Sequence, residues 1–278
     1  MRKNVILLTA MFCLSLFNQS FASEPQKIVG VYPFQGANEE IKTALQAKIS
    51  SELLKLNRVV VVDRKNEVAQ LEMQKQRTEA FMNSEDIGEF GRQSGAGYVL
   101  LGTVTQGDVE KIEKLTKKGT EVSWQVVIGL DLSVIDVATG KVLMSESFSS
   151  MKKSDSRSKI LNDCYTDIVR KSSVFLQNSF PINGEVVSAT VDKKGYVNGI
   201  VLNIGKENGV QVKQRYDLIE KQMIDSKMFD IVGVIEIIEV SGENMAKARI
   251  VSGNKERLKA IYEKPTSFAV KTRAIKNK

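Results

Sequence analysis

The sequence predicts an α/β (α+β-like) N-terminal domain, in which helices flank a mixed sheet, and a small all-β C-terminal domain. Three observations predict this architecture. Short apolar strands alternate with amphipathic helices as far as Thr105, which is the pattern of strand–helix–strand units. Strict apolar–polar alternation follows over 122–134, with the two-residue period of a half-buried strand. Beyond Pro181 the pattern changes to short strands separated by turn residues, without a useful helical period.

The first two elements are a strand over Lys27–Phe34 and the helix that follows it. Asn38 can cap this helix, because its short side chain can accept a hydrogen bond from a free N–H group of the first turn. The large aliphatic residues of the helix recur every four positions and form one apolar stripe that faces a core: Ile41, Leu45, Ile49 and Leu53.

The strand–helix alternation continues through the next four elements. Arg58–Val62 predicts a buried parallel strand, because four consecutive valines leave it apolar on both faces. Two helices are expected next, one over 63–81 and one that begins at Ser84 and ends by Gly97. A third strand is predicted over Tyr98–Thr105. Right-handed crossovers should connect these strands.

An antiparallel meander then extends the predicted sheet. Its long strand covers Val122–Val134, a turn follows at 136–140, and the meander ends near Phe148. The segment before it, 107–118, is highly charged and has no apolar face, which leaves a single long alternating strand. A last helix follows a polar stretch, and we expect its stripe to pack on the sheet: Ile160, Leu161, Cys164, Ile168, Ser172, Phe175 and Leu176.

The predicted N-terminal domain covers 23–180, and a small β-barrel or sandwich covers 181–264. The remaining residues, 265–278, are basic and polar and are expected to form a mobile tail. Five short strands are predicted in the second domain: Gly184–Val187, Ile200–Ile204, Tyr216–Glu220, Ile231–Val240 and Ala246–Val251.

The first residues predict an export signal that is cleaved after Ala22. Arg2 and Lys3 give a basic start, a mostly apolar run follows, and small residues flank Phe21 at the cleavage site. The apolar run is shorter than the about 20 residues of a membrane-spanning helix. Cys13 lies inside this run, without the preceding Leu and small residue of a bacterial lipoprotein signal. We therefore expect a periplasmic protein, with peripheral association with the outer membrane as an option.

The composition excludes several classes of active site. The chain has no histidine, which excludes histidine-based triads, metal ligands and general bases. Cys164 is the only cysteine beyond the signal, so an internal disulfide is excluded and a buried thiol is expected. The net charge falls from +7 to +5 when Arg2 and Lys3 leave, and no basic cluster interleaves with aromatic residues, so nucleic acid is not expected as a partner. We find no catalytic constellation, cofactor motif or metal-ligand set, and the chain is predicted not to be an enzyme.

Asp63 and Arg64 are the candidate binding residues. They follow the buried strand, and ligands of open α/β sheets bind beside the carboxyl ends of strands. A structural interpretation explains the two residue types more simply, because Asp63 can cap the next helix and Arg64 can pair with an acidic neighbour.

Three motifs resemble the CsgG-like family, which includes the curli secretion channel and is similar to periplasmic modules of penicillin-binding-protein activators. They are VVVVDR at 59–64, GRQSGAGYVLLGTVT at 91–105 and IDVATGKVL at 135–143. Segments within 182–221 (INGEVV and NIGKENGVQVKQRYDLIEK) resemble the C-terminal module of the flagellar assembly protein FlgT, although Gln214 replaces a turn glycine. The channels of the family are lipoproteins with two long membrane hairpins per subunit, and this chain has neither the acylation box nor a second hairpin pattern.

The resemblance implies a non-catalytic periplasmic accessory protein that supports assembly or secretion of an envelope structure, curli-like or flagellar, through protein–protein contacts. Its partners would be envelope or outer-membrane proteins, and the ring-shaped channels of the family imply a homo-oligomer. Two alternatives stay open. One is an activator or regulator of a peptidoglycan synthase, because the family shares a module with such activators. The other is an outer-membrane secretion pore, suggested by the long alternating strand.

Overall fold

The structure is a computed structural model, and it describes residues 26–36, 38–62, 90–117, 119–221 and 230–274. The described chain divides into two compact units. The first unit comprises 26–182 together with the residues from Lys271, and the second comprises 183–270.

The first unit contains a mixed sheet with the strand order β2-β1-β3-β4-β5. Strand β1 (Lys27–Val31) lies between β2 (Val59–Val62) and β3 (Tyr98–Thr116) and is parallel to both. Strands β4 (Gly119–Asp136) and β5 (Val142–Ser154) continue the sheet in antiparallel order. The predicted mixed sheet is therefore present, and its antiparallel part begins where the two-residue period begins in the sequence.

Helix α1 (Glu39–Lys55) follows β1 and has the predicted cap. The backbone N–H of Ile41 donates to Oδ1 of Asn38 at 3.1 Å, and Glu39 and Glu40 occupy the first turn, where the helix dipole favours negative charge. All four residues of the predicted stripe are fully buried: Ile41, Leu45, Ile49 and Leu53.

Helix α2 (Arg157–Ser179) packs on β4 and β5 and also contacts α1. Its predicted stripe is buried, including Cys164, whose Sγ lies 3.9 Å from the carbonyl oxygen of Val126. Phe175 meets Phe148 of β5 edge to face, with ring centroids 6.0 Å apart. The two helices and one face of the sheet thus enclose a single core.

Strands β3 and β4 form one hairpin that is much longer than the sequence suggested. Pairing runs from Thr116 and Gly119 beside the turn back to Tyr98 and Asp136, with one register shift near Val104. The prediction of a short third strand is therefore wrong. The outer part of β3 carries charged side chains on both faces. Backbone hydrogen bonds to β4 stabilise it, and such bonds require no apolar pattern in the sequence.

A smaller apolar cluster lies on the face of the sheet opposite α1 and α2. Phe90, Val99 and Ile135 are buried there, and Tyr32 packs against them. The rings of Tyr32 and Phe90 meet edge to face, with centroids 5.0 Å apart. This cluster covers one end of the face, and small polar side chains occupy the part beside it.

The second unit contains a closed six-stranded barrel in the order β10-β7-β6-β11-β8-β9. All six strands contribute buried apolar residues to its interior, which agrees with the predicted barrel or sandwich. The strand bounds are β6 Asn183–Val191, β7 Val197–Leu202, β8 Arg215–Glu220, β9 Asp230–Val240, β10 Ala246–Gly253 and β11 Phe268–Thr272.

The second unit differs from the predicted all-β domain in two elements. Helix α3 (Lys255–Glu263) follows β10, and the Asn254 side chain caps it by accepting the N–H groups of Glu256 and Arg257. Its apolar face is only two residues wide (Leu258 and Ile261), which is too little for a visible helical period. Strand β11 lies within the segment expected to be a mobile tail, and it is ordered in the barrel because Phe268 and Val270 are buried.

Candidate protein-binding surfaces

One face of the sheet in the first unit presents small polar side chains on three neighbouring strands. The strand register places Thr103, Asp131 and Ser147 side by side in one rung. The adjoining rungs add Ser133 beside Ser145, and Thr105 near Ser149. We call this surface the hydroxyl face and define it by Thr103, Thr105, Asp131, Ser133, Ser145, Ser147 and Ser149.

The hydroxyl face is flat and mostly uncharged. All its members are exposed except Asp131 and Ser133, which are half-buried. The hydroxyls of Ser133 and Ser145 share a hydrogen bond of 2.8 Å. Gly129 keeps the surface low, because a Cβ there would lie 2.6 Å from Oγ1 of Thr105. Hydroxyl groups both donate and accept hydrogen bonds, so this surface can meet either kind of polar group on a partner.

A groove of about 590 Å³ lies between α1 and α2 on the opposite side of the unit. Most of its charged side chains already have partners: Lys55 pairs with Glu52 at 3.3 Å, and Arg170 pairs with Asp167 at 2.8 Å. The groove is lined by Lys48, Ser51, Glu52, Lys55, Thr166, Val169, Arg170 and Ser173. Its lining is polar and most of its charged side chains are already engaged in ion pairs, which makes it a weaker candidate for a partner.

Asp167 is the most strongly perturbed acid among the described residues of the first unit. Partial burial raises the pKa of Asp167, but hydrogen bonds from Lys171 and Arg170, at 2.8 Å each, outweigh it and hold the pKa well below its usual range. Lys171 also donates to the carbonyl oxygen of Ser149 at 2.6 Å. The cluster ties α2 to the edge strand β5 and has a structural role.

The turn end of the β3–β4 hairpin is a third exposed region. Leu115 is 89% exposed there and Val122 is 40% exposed. Lys111 and Glu113 form an exposed ion pair at 2.6 Å, and the hydrogen bond from Lys111 lowers the pKa of Glu113. Leu115 and Val122 are the large apolar side chains that are exposed among the described residues of this region, and charged side chains surround them.

The predicted binding candidates, Asp63 and Arg64, lie outside the described residues, and so does the predicted cleavage site after Ala22. The hydroxyl face did not emerge from the sequence. Its signal was present in the serines that alternate over 145–149, opposite the polar positions of the long predicted strand. That signal has meaning only when the pairing of β4 with β5 is known.

The described residues were also compared with the requirements of a metal site and of a membrane-spanning helix. In this part of the chain, no group of three or more acidic, cysteine or histidine residues is arranged to hold a metal ion. None of the described helices is both long and apolar enough to span a membrane.

A family comparison matches residues 17–148 to the family described as peptidoglycan-synthase activator LpoB. The matched range contains β1, α1, β2, β3 and β4 and about half of β5. The match is to a family of activators, which is consistent with the prediction of a non-enzyme that works in the cell envelope. A search of curated proteins found no match.

Several solved structures resemble part of the chain at low identity. The PelC dodecamer from Paraburkholderia phytofirmans is 18% identical, covers 55% of this chain and 88% of its own, and has a TM-score of 0.34. Lipoprotein GNA1162 from Neisseria meningitidis is also 18% identical, with coverages of 52% and 96% and a TM-score of 0.34. The LpoB C-terminal domain from Escherichia coli is 14% identical, with coverages of 50% and 93% and a TM-score of 0.30.

The comparisons refine the resemblances drawn from the sequence. The similarity to the periplasmic modules of penicillin-binding-protein activators agrees with the family match. Neither the CsgG-like channel nor the FlgT module is found among the matches described above. The assembly or secretion role therefore has less support than the regulator alternative.

Proposed function

We propose that the first unit activates a peptidoglycan synthase by direct protein–protein contact in the periplasm. The observation that carries the proposal is the match of 17–148 to the family of peptidoglycan-synthase activators. The chain itself performs no catalysis in this role, because an activator changes the rate of another enzyme. It does so by binding the active conformation of that enzyme more tightly than the inactive one.

The hydroxyl face is the contact surface in this proposal. Six of its seven residues lie within the matched range, and Ser149 follows directly after it. Half of the groove between the helices is instead built by α2 (157–179), which lies outside the match. The surface that belongs to the matched range is thus the face formed by β3, β4 and β5.

The chemistry of the hydroxyl face suits a reversible protein contact. Non-obligate interfaces are about as polar as the rest of a protein surface and retain bridging water. Short Ser and Thr side chains on a paired sheet have little conformational entropy to lose when a partner orders them. An arginine at residue 103 or 147 would raise a long charged side chain above this face beside Asp131, and burying these charged groups under a partner costs several kcal/mol.

The test is a reconstituted reaction with a peptidoglycan synthase from the same source. The rate of glycan-strand polymerisation from the lipid-linked precursor is measured with and without the protein, and binding is measured by surface plasmon resonance. We expect a faster reaction with the protein present. In Thr103→Arg and Ser147→Arg proteins we expect binding at least about 10-fold weaker, since about 1.4 kcal/mol corresponds to a factor of ten.

Thr166→Arg is the matched control, because Thr166 is exposed on α2 and lies outside both the hydroxyl face and the matched range. It should bind and activate as the parent chain does. Loss of binding in Thr166→Arg but not in Ser147→Arg would move the contact to the helices. Absence of both binding and stimulation for every synthase of the source would reject the activator role. Capture of secretion or flagellar components instead would favour the assembly role.

The periplasmic location is part of the proposal, and the position of the mature N-terminus tests it separately. N-terminal sequencing of the protein from cell envelopes should begin at Ser23, as cleavage after Ala22 requires. Light scattering on the same material tests the predicted homo-oligomer. A strict monomer at high concentration would remove the ring form and leave the activator role intact.

A further inference from the structure

A pocket of about 550 Å³ lies in the second unit, where two neighbouring barrel strands separate. Pairing between β7 and β10 covers Leu202 with Ala246, Val201 with Lys247 and Ile200 with Ala248, and the recorded register ends there. The pocket is lined by 196–198 on one side and 249–253 on the other, with three residues of α3 at its end (Lys255, Leu258 and Lys259). It therefore occupies the position that the next rungs of the same ladder would have filled.

Strand β10 continues along the pocket, with a β-bulge at Val251 between Ile250 and Ser252. Its partner on the other side, β9, pairs with it as far as Gly253 and Gly233. Apart from Val251, the β10 residues that line the pocket thus pair with β9 along one edge, and their other edge faces the pocket. A strand edge of five residues spans about 16 Å, at roughly 3.3 Å per residue. Such an edge is the element to which an extended peptide adds in β-augmentation.

The side chains around the pocket are cationic and aromatic. Arg249, Lys255 and Lys259 line it, and no acidic residue is among its described lining residues. Lys255 Nζ lies 5.7 Å above the centroid of the Tyr196 ring, which is 45% exposed. The lining also has an apolar part, which includes Val251, 42% exposed, and the buried Leu258.

Arg249 is held in place by a shared carboxylate. Glu236 accepts from Arg249 at 2.7 Å and from Arg215 at 3.2 Å, and these two arginines lower the pKa of Glu236. One carboxylate between two guanidinium groups leaves the trio with a net positive charge. The pocket therefore presents a paired arginine on the strand side and two lysines on the helix side.

We propose that this pocket binds an extended acidic segment of a partner protein, which adds to the free edge of β10 and places its carboxylates against Arg249, Lys255 and Lys259. The open strand edge selects an extended L-peptide, because a regular ladder needs backbone groups at strand spacing. The cations select acidic side chains at alternate positions, since these point to the same side of the added strand. All the residues concerned lie in the second unit, so this inference is independent of the activator role of the first unit.

The test uses the full chain and a fluorescein-labelled hexapeptide of alternating Val and Glu, followed by fluorescence anisotropy. A hexapeptide of alternating Val and Lys is the charge control. The acidic peptide should bind at least about 10-fold more tightly than the basic one, and raising the salt concentration should weaken it, because exposed charges are screened. N-methylation of alternate peptide nitrogens should abolish binding by removing the donors of the ladder.

Two variants locate the site. Lys255→Glu with Lys259→Glu reverses the charge of the helix side without touching the core, because both side chains are exposed. We expect at least about 10-fold weaker binding of the acidic peptide. Lys213→Glu is the control, since Lys213 is exposed in the same unit but outside the pocket lining, and it should bind as the parent does.

Each other outcome overturns the proposal. No binding of the acidic peptide rejects it, and so does equal binding by the N-methylated peptide, which would show attraction by charge alone. Equal losses in Lys213→Glu and in the double variant would reject this location. If a soluble cell-wall muropeptide binds with the same variant dependence and the acidic peptide does not, the ligand is a cell-wall fragment and not a protein segment.

Discussion

Gly102, near the beginning of β3, is the position where one added methyl group should disturb the first unit most clearly. The ring of Phe34 lies directly against it, and a Cβ at residue 102 would stand 2.5, 2.6 and 2.6 Å from three ring carbons. Carbon atoms in contact are about 3.5–4.0 Å apart, so the ring or the strand must move by roughly 1 Å. Neither moves freely, because Phe34 is 4% exposed and its N–H donates to Oε1 of Gln46 at 3.0 Å.

The magnitude follows from two opposing terms. Overpacking of a well-packed core costs about 1–3 kcal/mol. Replacing glycine by alanine also restricts the unfolded chain, which returns about 0.4–1 kcal/mol. We therefore expect Gly102→Ala to lower the free energy of unfolding of the first unit by about 1–2 kcal/mol.

The assay is guanidinium unfolding followed by tryptophan fluorescence. Trp124 is the only tryptophan of the sequence and lies in β4, so its signal reports the first unit separately from the second. Gly97→Ala is the matched control, because the nearest atom to its added Cβ would be 3.9 Å away and the residue is exposed. The control should change the free energy of unfolding by less than about 0.5 kcal/mol.

A double-mutant cycle with Phe34→Leu tests the mechanism, since the smaller side chain leaves room for the new methyl group. The cost of Gly102→Ala should fall in the Phe34→Leu background, with a coupling of about 1 kcal/mol. An unchanged unfolding midpoint in Gly102→Ala, or an equal cost in both backgrounds, would refute the packing argument.

Three further predictions concern single side chains. Cys164 is buried, and burial raises the pKa of its thiol. A thiol reagent should therefore modify Cys164 in the native protein no faster than the first unit unfolds, and mass spectrometry of the peptide that contains Cys164 measures this rate. The lowered pKa of Asp167 means that its stabilisation is present above about pH 4, the usual range of an aspartate, and is lost as the pH falls further. Asp167→Asn should therefore lower stability at pH 7 and reduce its loss towards pH 2 in acid titrations; an acid limb identical to that of the parent would contradict the ion-pair account. Asn38→Ala should cost about 1 kcal/mol or more in the Trp124 assay, because Asn38 caps α1 and also donates to the carbonyl oxygen of Gly107.

The parts of the fold that could be predicted from the sequence are those whose signal is local. The stripe and cap of α1 lie within one helix, and the four valines of β2 need no partner to be recognised as a buried strand. The outer half of β3 could not be predicted, because its stability comes from pairing with β4 and its side chains are charged on both faces. Helix α3 and strand β11 each bury only two large apolar side chains, and two residues are too few to form a periodic pattern in the sequence.

The hydroxyl face shows why surfaces of this kind are harder to predict than cores. A core residue is apolar wherever it stands, but Ser147 contributes to the surface only because β5 pairs with β4 in a register that puts it beside Asp131. An antiparallel sheet can leave one face open to solvent, and small hydroxyl residues keep that face flat. When many short side chains form a contact, each contributes only a small part of the binding free energy. Removing one of them should therefore weaken binding only slightly. Ser147→Ala should therefore change binding to the synthase less than about 3-fold, whereas Ser147→Arg should abolish close approach. A large loss in Ser147→Ala would mean that Ser147 forms a specific hydrogen bond at the centre of the contact, and the partner surface would then have to provide its acceptor or donor.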